Sequence, residues 1–326
     1  MKRRLTIIIV LLCLGLSARA QIQVGSNAIP TMNKPGKITQ SRLDAFKKTT
    51  TVFTLIYKDY AQKAVFEKAI ASVWKITPFK IIRPDELDRY MKENYSVFSF
   101  GGFMINHEGD HIVTTTITLC YDLWMPEVKR SGKVKQHFLA RIWMSPDADM
   151  NMEGYKRRFW SATSFSEKML SFIYNDGGFY NWGAGYLKGY LKVVNDHLTK
   201  GDEQGPSSEL VDRKALAELQ KDTLFVPDYV NVTFNPFTGQ EHRDPIDMDK
   251  VQREYPFPVR FVSSEKLNDM ILSGRPMKYL VYIKNSNVKI VDVFDGQTGD
   301  LIYVNDVRLS YNFKAKDLGR LAKHVD

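Results

Sequence analysis

The same order of apolar runs and turn residues occurs twice in this chain, 180 residues apart, and that repetition limits the fold more than any other feature. In the first pass, Thr51–Tyr57 is β-branched and aromatic and reads as a strand. Val65, Phe66, Ile70, Val73 and Trp74 follow at helical spacing, which places an amphipathic helix over residues 61–74. Phe79–Ile82 is a short strand, and Pro84-Asp85-Glu86 opens a second helix, with proline in the first turn and acids at the positive dipole end. Three strand-like runs close the unit: Tyr95–Ile105, Ile112–Trp124 and Val134–Met144. The second pass reads Tyr229–Phe234, a helix over 246–254, Pro258–Val262, a helix from Ser263, then Tyr279–Ile283, Lys289–Phe294 and Asp300–Val304. Pro78 aligns with Pro258 and Leu87 with Leu267. A period this long means two domains, since solenoid repeats run to roughly 20–50 residues.

Each copy therefore reads β-α-β-α-β-β-β, an α/β (α+β) arrangement with a mixed sheet. Strands joined through helices are expected parallel, and the last three form an antiparallel meander. The organisation expected is a leader over residues 1–20, an extended segment over 21–48, one α/β domain over 49–150, a helical connector over 151–222 and a second α/β domain over 223–326. Within the connector, Ser164-Phe165-Ser166-Glu167 is a capping box opening a helix through Tyr174. Tyr186, Leu187, Tyr190, Leu191, Val194 and Leu198 mark another helix, and residues 201–208 read as a polar linker before a short helix over 213–221.

The leader has Lys2, Arg3 and Arg4, then an apolar run from Leu5 to Leu16, then Ala18-Arg19-Ala20. These are the three parts of a cleavable secretory signal, with the mature chain beginning at Gln21. The apolar run is too short for a membrane span, which needs about 20 residues. Leu12 before Cys13 is not the small residue that lipid attachment wants. Removing Lys2, Arg3, Arg4 and Arg19 lowers the net charge from +9 to +5, and no block of five like charges remains. A nucleic-acid partner is therefore not expected. Cys120 is then the one cysteine left, so no internal disulfide forms, and its β-patterned surroundings point to a buried thiol.

The second copy, with PFPVRFVSSEKLNDMI, MKYLVYI and VKIVDVFDGQTGDLIYV, resembles the periplasmic α/β domain of curli-type (CsgG) secretion lipoproteins and of the TolB amino-terminal region. Asp295, Thr298 and Gly299 match the D-x-x-T-G hairpin turn of those domains. The likeness covers about 60 residues well and the first copy more loosely. The whole chain is similar to exported proteins of Bacteroidetes-type bacteria. The resemblance implies an envelope location and a part in envelope assembly.

One motif carries enzyme chemistry on its face. His107-Glu108-Gly109-Asp110-His111 spells H-E-x-x-H, which binds zinc when both histidines share one helix face. Here it lies between two strand-like runs, so a hairpin turn is expected in its place, with Gly109 at the flexible position. His137, His197, His242 and His324 are isolated and signal no third ligand. Asp147-x-Asp149-x-Asn151-x-Glu153 imitates a calcium loop but has Met152 at the sixth position and Arg158 at the twelfth. No G-x-S-x-G elbow or phosphate loop occurs, and no cofactor is implied.

The most unusual local composition is NDGGFYNWGAGYLKGY at 175–190. Phe179, Tyr180, Trp182 and Tyr186 on a glycine-rich loop are the candidate binding residues, as a stacking surface for a sugar, peptide or partner protein. The other reading is that they pin the connector against the sheets. The sequence as a whole reads as a periplasmic or secreted envelope protein that binds or scaffolds an envelope protein or polymer without catalysis. The alternative is an envelope hydrolase, acting through His107-Glu108 and His111 or through carboxylates brought together by folding.

Overall fold

A computed structural model describes residues 21–25, 36–108, 113–156, 162–204, 210–235, 240–285, 288–308 and 310–325. The leader over 1–20 and the second half of the linker, residues 205–208, lie outside these residues.

The first unit contains β1 (Ile22–Val24), α1 (Gln40–Lys47), β2 (Thr50–Thr54), α2 (Tyr57–Tyr60) and α3 (Lys63–Val73). It continues with β3 (Phe79–Ile82), a 3₁₀ helix over Pro84–Tyr90, β4 (Tyr95–Glu108), β5 (Val113–Val128) and β6 (Val134–Met144). The connector holds α4 (Ala148–Lys156), α5 (Ala162–Asn175) and α6 (Ala184–Lys200). The second unit has β7 (Leu210–Val211), α7 (Arg213–Ala217), β8 (Leu224–Pro227), β9 (Val232–Phe234), β10 (Glu241–Arg243), α8 (Met248–Glu254) and β11 (Val259–Val262). It ends with α9 (Ser264–Leu272), β12 (Lys278–Asn285), β13 (Val288–Asp295), β14 (Leu301–Arg308) and α10 (Ala315–Ala322).

The two six-stranded sheets have one topology. Their orders are β1-β6-β5-β4-β2-β3 and β7-β14-β13-β12-β8-β11. In each, the helix-linked strands pair parallel and the last three pair antiparallel. The mixed sheets and duplicated order follow the sequence reading, and the repeat is longer than the sequence shows. β1 and α1 precede the first unit as β7 and α7 precede the second, each short strand closing the meander edge of its sheet. Segments read as leading extension and connector end thus belong to the two domains.

One expected strand is corrected. The opening strand of the second sheet is Leu224–Pro227, not Tyr229–Phe234. Pro227 has no N–H to continue a ladder, and the chain turns into a 3₁₀ stretch over Asp228–Asn231. The Tyr229 hydroxyl donates to the Tyr282 carbonyl at 2.9 Å and accepts from its N–H at 3.0 Å, so the ring enters the core sideways from that turn. Val232–Phe234 pairs instead with β10 in a separate hairpin.

The layers follow from apolar residues on both faces of each sheet, the pattern of sheets covered on two sides. Val52, Ile82, Val97 and Trp124 lie under the 3₁₀ helix on the outer face of the first sheet. Phe53, Phe98, Phe100 and Tyr121 on its inner face meet α3 and α6. Tyr279, Val281, Ile283, Ile290 and Phe294 of the second sheet join that same central core across α6 and α9. The far face of the second sheet, including Leu280, Val291 and Val293, packs under α8 and α10. Among the described residues no helix is long and apolar enough to cross a membrane.

Candidate functional site

The aromatic loop sits where connector and both sheets meet. Phe179 is 9% exposed and stacks on Phe100 with centroids 5.2 Å apart and planes within 6°. Trp182, half-buried, sets its edge against Phe100 and Tyr121 at 4.9 and 5.2 Å. Its indole N–H donates to Asp59 at 2.7 Å. Burial raises the Asp59 carboxyl above the usual carboxylate range, against the lowering pull of that hydrogen bond. Tyr186 has no exposed surface, because α6 turns it toward Tyr190 and Tyr279. Gly189 of the same helix faces the Tyr279 hydroxyl, and a methyl group there would stand 2.5 Å from that oxygen. The glycine thus lets α6 lie close on the second sheet.

These contacts decide what the four aromatics can do. Phe179 and Tyr186 present no face to a ligand, so a flat stacking surface made of all four does not form. Tyr180 is half-buried and stacks on Tyr229 at 5.3 Å, while its hydroxyl donates to Glu241 at 2.8 Å. The loop joins first sheet, connector and second sheet by specific polar contacts at its rims.

Tyr180 leads to a polar cluster that the sequence does not announce. Glu241 also accepts from Asn151 Nδ2 at 2.6 Å and pairs with Lys284, both charged side chains being under 10% exposed. Lys284 lies 4.2 Å from the centre of the Phe234 ring. Burial lowers the Lys284 pKa, and Glu241 partly restores it. Burial likewise pushes Tyr180 upward, reinforced by Glu241. A lysine with a lowered pKa beside a tyrosine is a composition known from active sites. Here the partners use one another: the carboxylate accepts from three groups drawn from connector and second unit. That is the economy of a closed joint, since a buried pair must satisfy its own hydrogen bonds. Their partners lie 61 and 90 residues away in sequence, beyond any linear motif.

The zinc-like motif falls elsewhere. β4 runs through His107 and Glu108, which pair with Thr114 and Val113 of β5. His107 and Glu108 are therefore in a strand, where neighbours alternate faces, and not on a helix. His111 and the turn lie outside the described residues. Among the described residues no group of three or more His, Cys, Asp or Glu side chains is placed to hold a metal ion. The calcium-like segment begins a helix, with Asp147 accepting from the Met150 N–H at 3.0 Å.

The motif lies on a feature of its own. By ladder register, Phe103↔Thr118 in the first unit corresponds to Asn285↔Val288 in the second. Between them the second unit has two residues, 286–287, and the first has fourteen, Met104–Ile117. In the first unit the two strands stay paired for five more residues each, to Glu108↔Val113, about 17 Å at roughly 3.3 Å per residue. β2 pairs with β4 only as far as Phe98, and β6 pairs with β5 only from Leu119. Residues 103–108 and 113–118 thus form a two-stranded ribbon, and among the described residues no further strand pairs with either edge. Two clefts also occur. One, of about 390 Å³, is lined by Arg42, Glu93, Glu127 and His137 among others. The second, of about 510 Å³, is lined by Lys250, Arg253, Lys314 and Lys316 with Asp247 and Glu254.

No protein-family model, curated protein or solved structure matches this chain.

Proposed function

We propose that this is an exported envelope protein that binds a partner without catalysis, and that the β4–β5 ribbon is its contact element. The extra length of that hairpin over its counterpart carries the reading. Duplicated units with one topology diverge where a new role is added, and in the second unit the same two strands pair up to Asn285↔Val288, with only two residues between them. A two-stranded ribbon is marginal in water by itself, and a strand edge that pairs with no third strand is suited to accept an extended strand from another chain. The aromatic loop supports this role indirectly, by fixing the ribbon's base through Phe100 on β4. The leader and the likeness to envelope-assembly domains favour an envelope partner.

Replacing Met104–Ile117 by Ser-Asn, the second unit's own turn, tests the reading. The variant should keep the wild type's cooperative thermal unfolding and lose a partner that wild type captures from envelope extract after crosslinking. Capture by the folded, shortened variant, or cleavage of envelope peptide or glycan by wild type, would show the reading to be wrong.

A further inference from the structure

We infer that Asp292 is the receiving site for the α-ammonium group that signal cleavage creates at Gln21, so that processing locks the two sheets together. The inference rests on cleavage before Gln21. Asp292 has no exposed surface, and neither carboxylate oxygen has a hydrogen-bond partner. It lies on β13 between Ile290 and Phe294, on the face that joins the central core. A buried carboxylate left alone is costly, and native proteins pair such groups or neutralise them.

The duplication shows what is missing. Ser99 pairs with Asp122 in the first sheet, and Val281 pairs with Asp292 in the second. Counting from Pro78 and Pro258 through the parallel strands makes Ser99 the counterpart of Val281, and hence Asp122 the counterpart of Asp292. Asp122 is held by Arg141, its neighbour on β6, at 2.7 and 2.8 Å. At the Arg141 place the second sheet has Val304. The second carboxylate has kept its position and, among the described residues, has no side-chain cation.

Gln21 supplies the charge from the other sheet. It is fully buried, and its carbonyl accepts from the Trp143 N–H at 2.9 Å as the chain enters β1. Its main-chain N–H lies near enough to Asp292 to draw that carboxyl down from the high value burial imposes, without making a hydrogen bond to it. Among the described residues the titratable groups here are tyrosines: Tyr190 beside Gln21, Tyr186 and Tyr279 beside Tyr190, and Tyr229 beside Asp292. Hydrolysis of the Ala20–Gln21 peptide bond by a signal peptidase puts the water oxygen on the Ala20 carbonyl carbon and leaves an amine on Gln21. Protonated, that amine is an ammonium facing the carboxylate. Before cleavage the same nitrogen is a neutral amide, so the precursor buries this carboxyl either unpaired or at the cost of taking up a proton, and it folds less stably, which suits a chain still to be exported. N-terminal glutamine can cyclise with loss of ammonia, but an ammonium held by Asp292 is not nucleophilic.

The test compares chains released from a fusion to start at Gln21 or at Ala20, each with Asp292 and with Asp292→Asn, by denaturant unfolding at about pH 7. In the Gln21 chain the substitution should lower the folding equilibrium constant on the order of 100-fold, as for breaking a buried pair. In the Ala20 chain it should be neutral or stabilising. An equal loss in both chains overturns the inference. Should the first variant not fold, wild type decides the matter: the Gln21 amine should resist acylation until the protein is unfolded, and ready reaction in the native state overturns the pairing. The intact mass of exported protein separates the two layers of the argument. A pyroglutamate terminus rejects the ion pair and keeps export, whereas cleavage at another bond rejects both.

Discussion

The Asp295 carboxylate accepts from the N–H groups of Gln297 and Thr298 at 2.8 and 2.9 Å and from Lys278 Nζ at 2.7 Å. Gly299 follows at φ +79°, where a side chain is strained. The D-x-x-T-G pattern is legible in sequence because each of its residues answers a backbone need within the turn itself. Burial raises the Asp295 pKa, but the Lys278 and backbone hydrogen bonds outweigh it, so the net shift is downward. A carboxylate with a lowered folded pKa adds stability above its unfolded value of about 3.9 and loses it as pH falls through the folded value. Asp295→Asn should therefore cost about 1–3 kcal/mol near neutrality, and the gap to wild type should close in acid, as measured by urea unfolding at several pH values. Trp182 differs in kind. Its partners Asp59, Phe66, Phe100 and Tyr121 come from distant parts of the chain, so the sequence shows an odd aromatic cluster but not whether it faces solvent or core. Trp182→Ala should cost about 3 kcal/mol, with loss of near-ultraviolet dichroism.

Among the elements, the meanders were readable because long β-branched runs bounded by polar turns have few other uses. β1 and β7 were not, since strands of three and two residues leave no periodic signal. The shift from Tyr229–Phe234 to Leu224–Pro227 has a similar cause: both stretches are apolar, and register with β11 and β12, not composition, selects the one that enters the sheet. The ribbon's apolar and threonine-rich strands could be read, but its excess length became visible only when the two ladders were aligned. Strand geometry at His107 and Glu108 also bears on metal. Untagged protein should carry no stoichiometric zinc, and His107→Ala should leave stability and metal content unchanged. One tightly bound zinc per chain, lost in that variant, would contradict the placement.

At the scale of the molecule, both sheets contribute to one central core around α6, and α6 touches β1, α3 and α9. The units are equivalent in topology but not independent in packing. Residues 210–326 expressed alone should therefore be far less stable than in the full chain, and the full chain should unfold in a single transition. This coupling is not visible in the sequence, because the residues that meet in the core come from distant parts of the chain. A core holding both sheets gives the ribbon a firm base, as the proposed contact role requires. The most direct measurement is site-specific photocrosslinking in living cells, with the reactive residue placed at Asn106 in the ribbon or at Gln297 in the exposed Asp295 turn. The account expects a discrete envelope-protein adduct from position 106 and none from position 297. Equal adducts from both positions, or none from position 106 in a folded and exported protein, would contradict it.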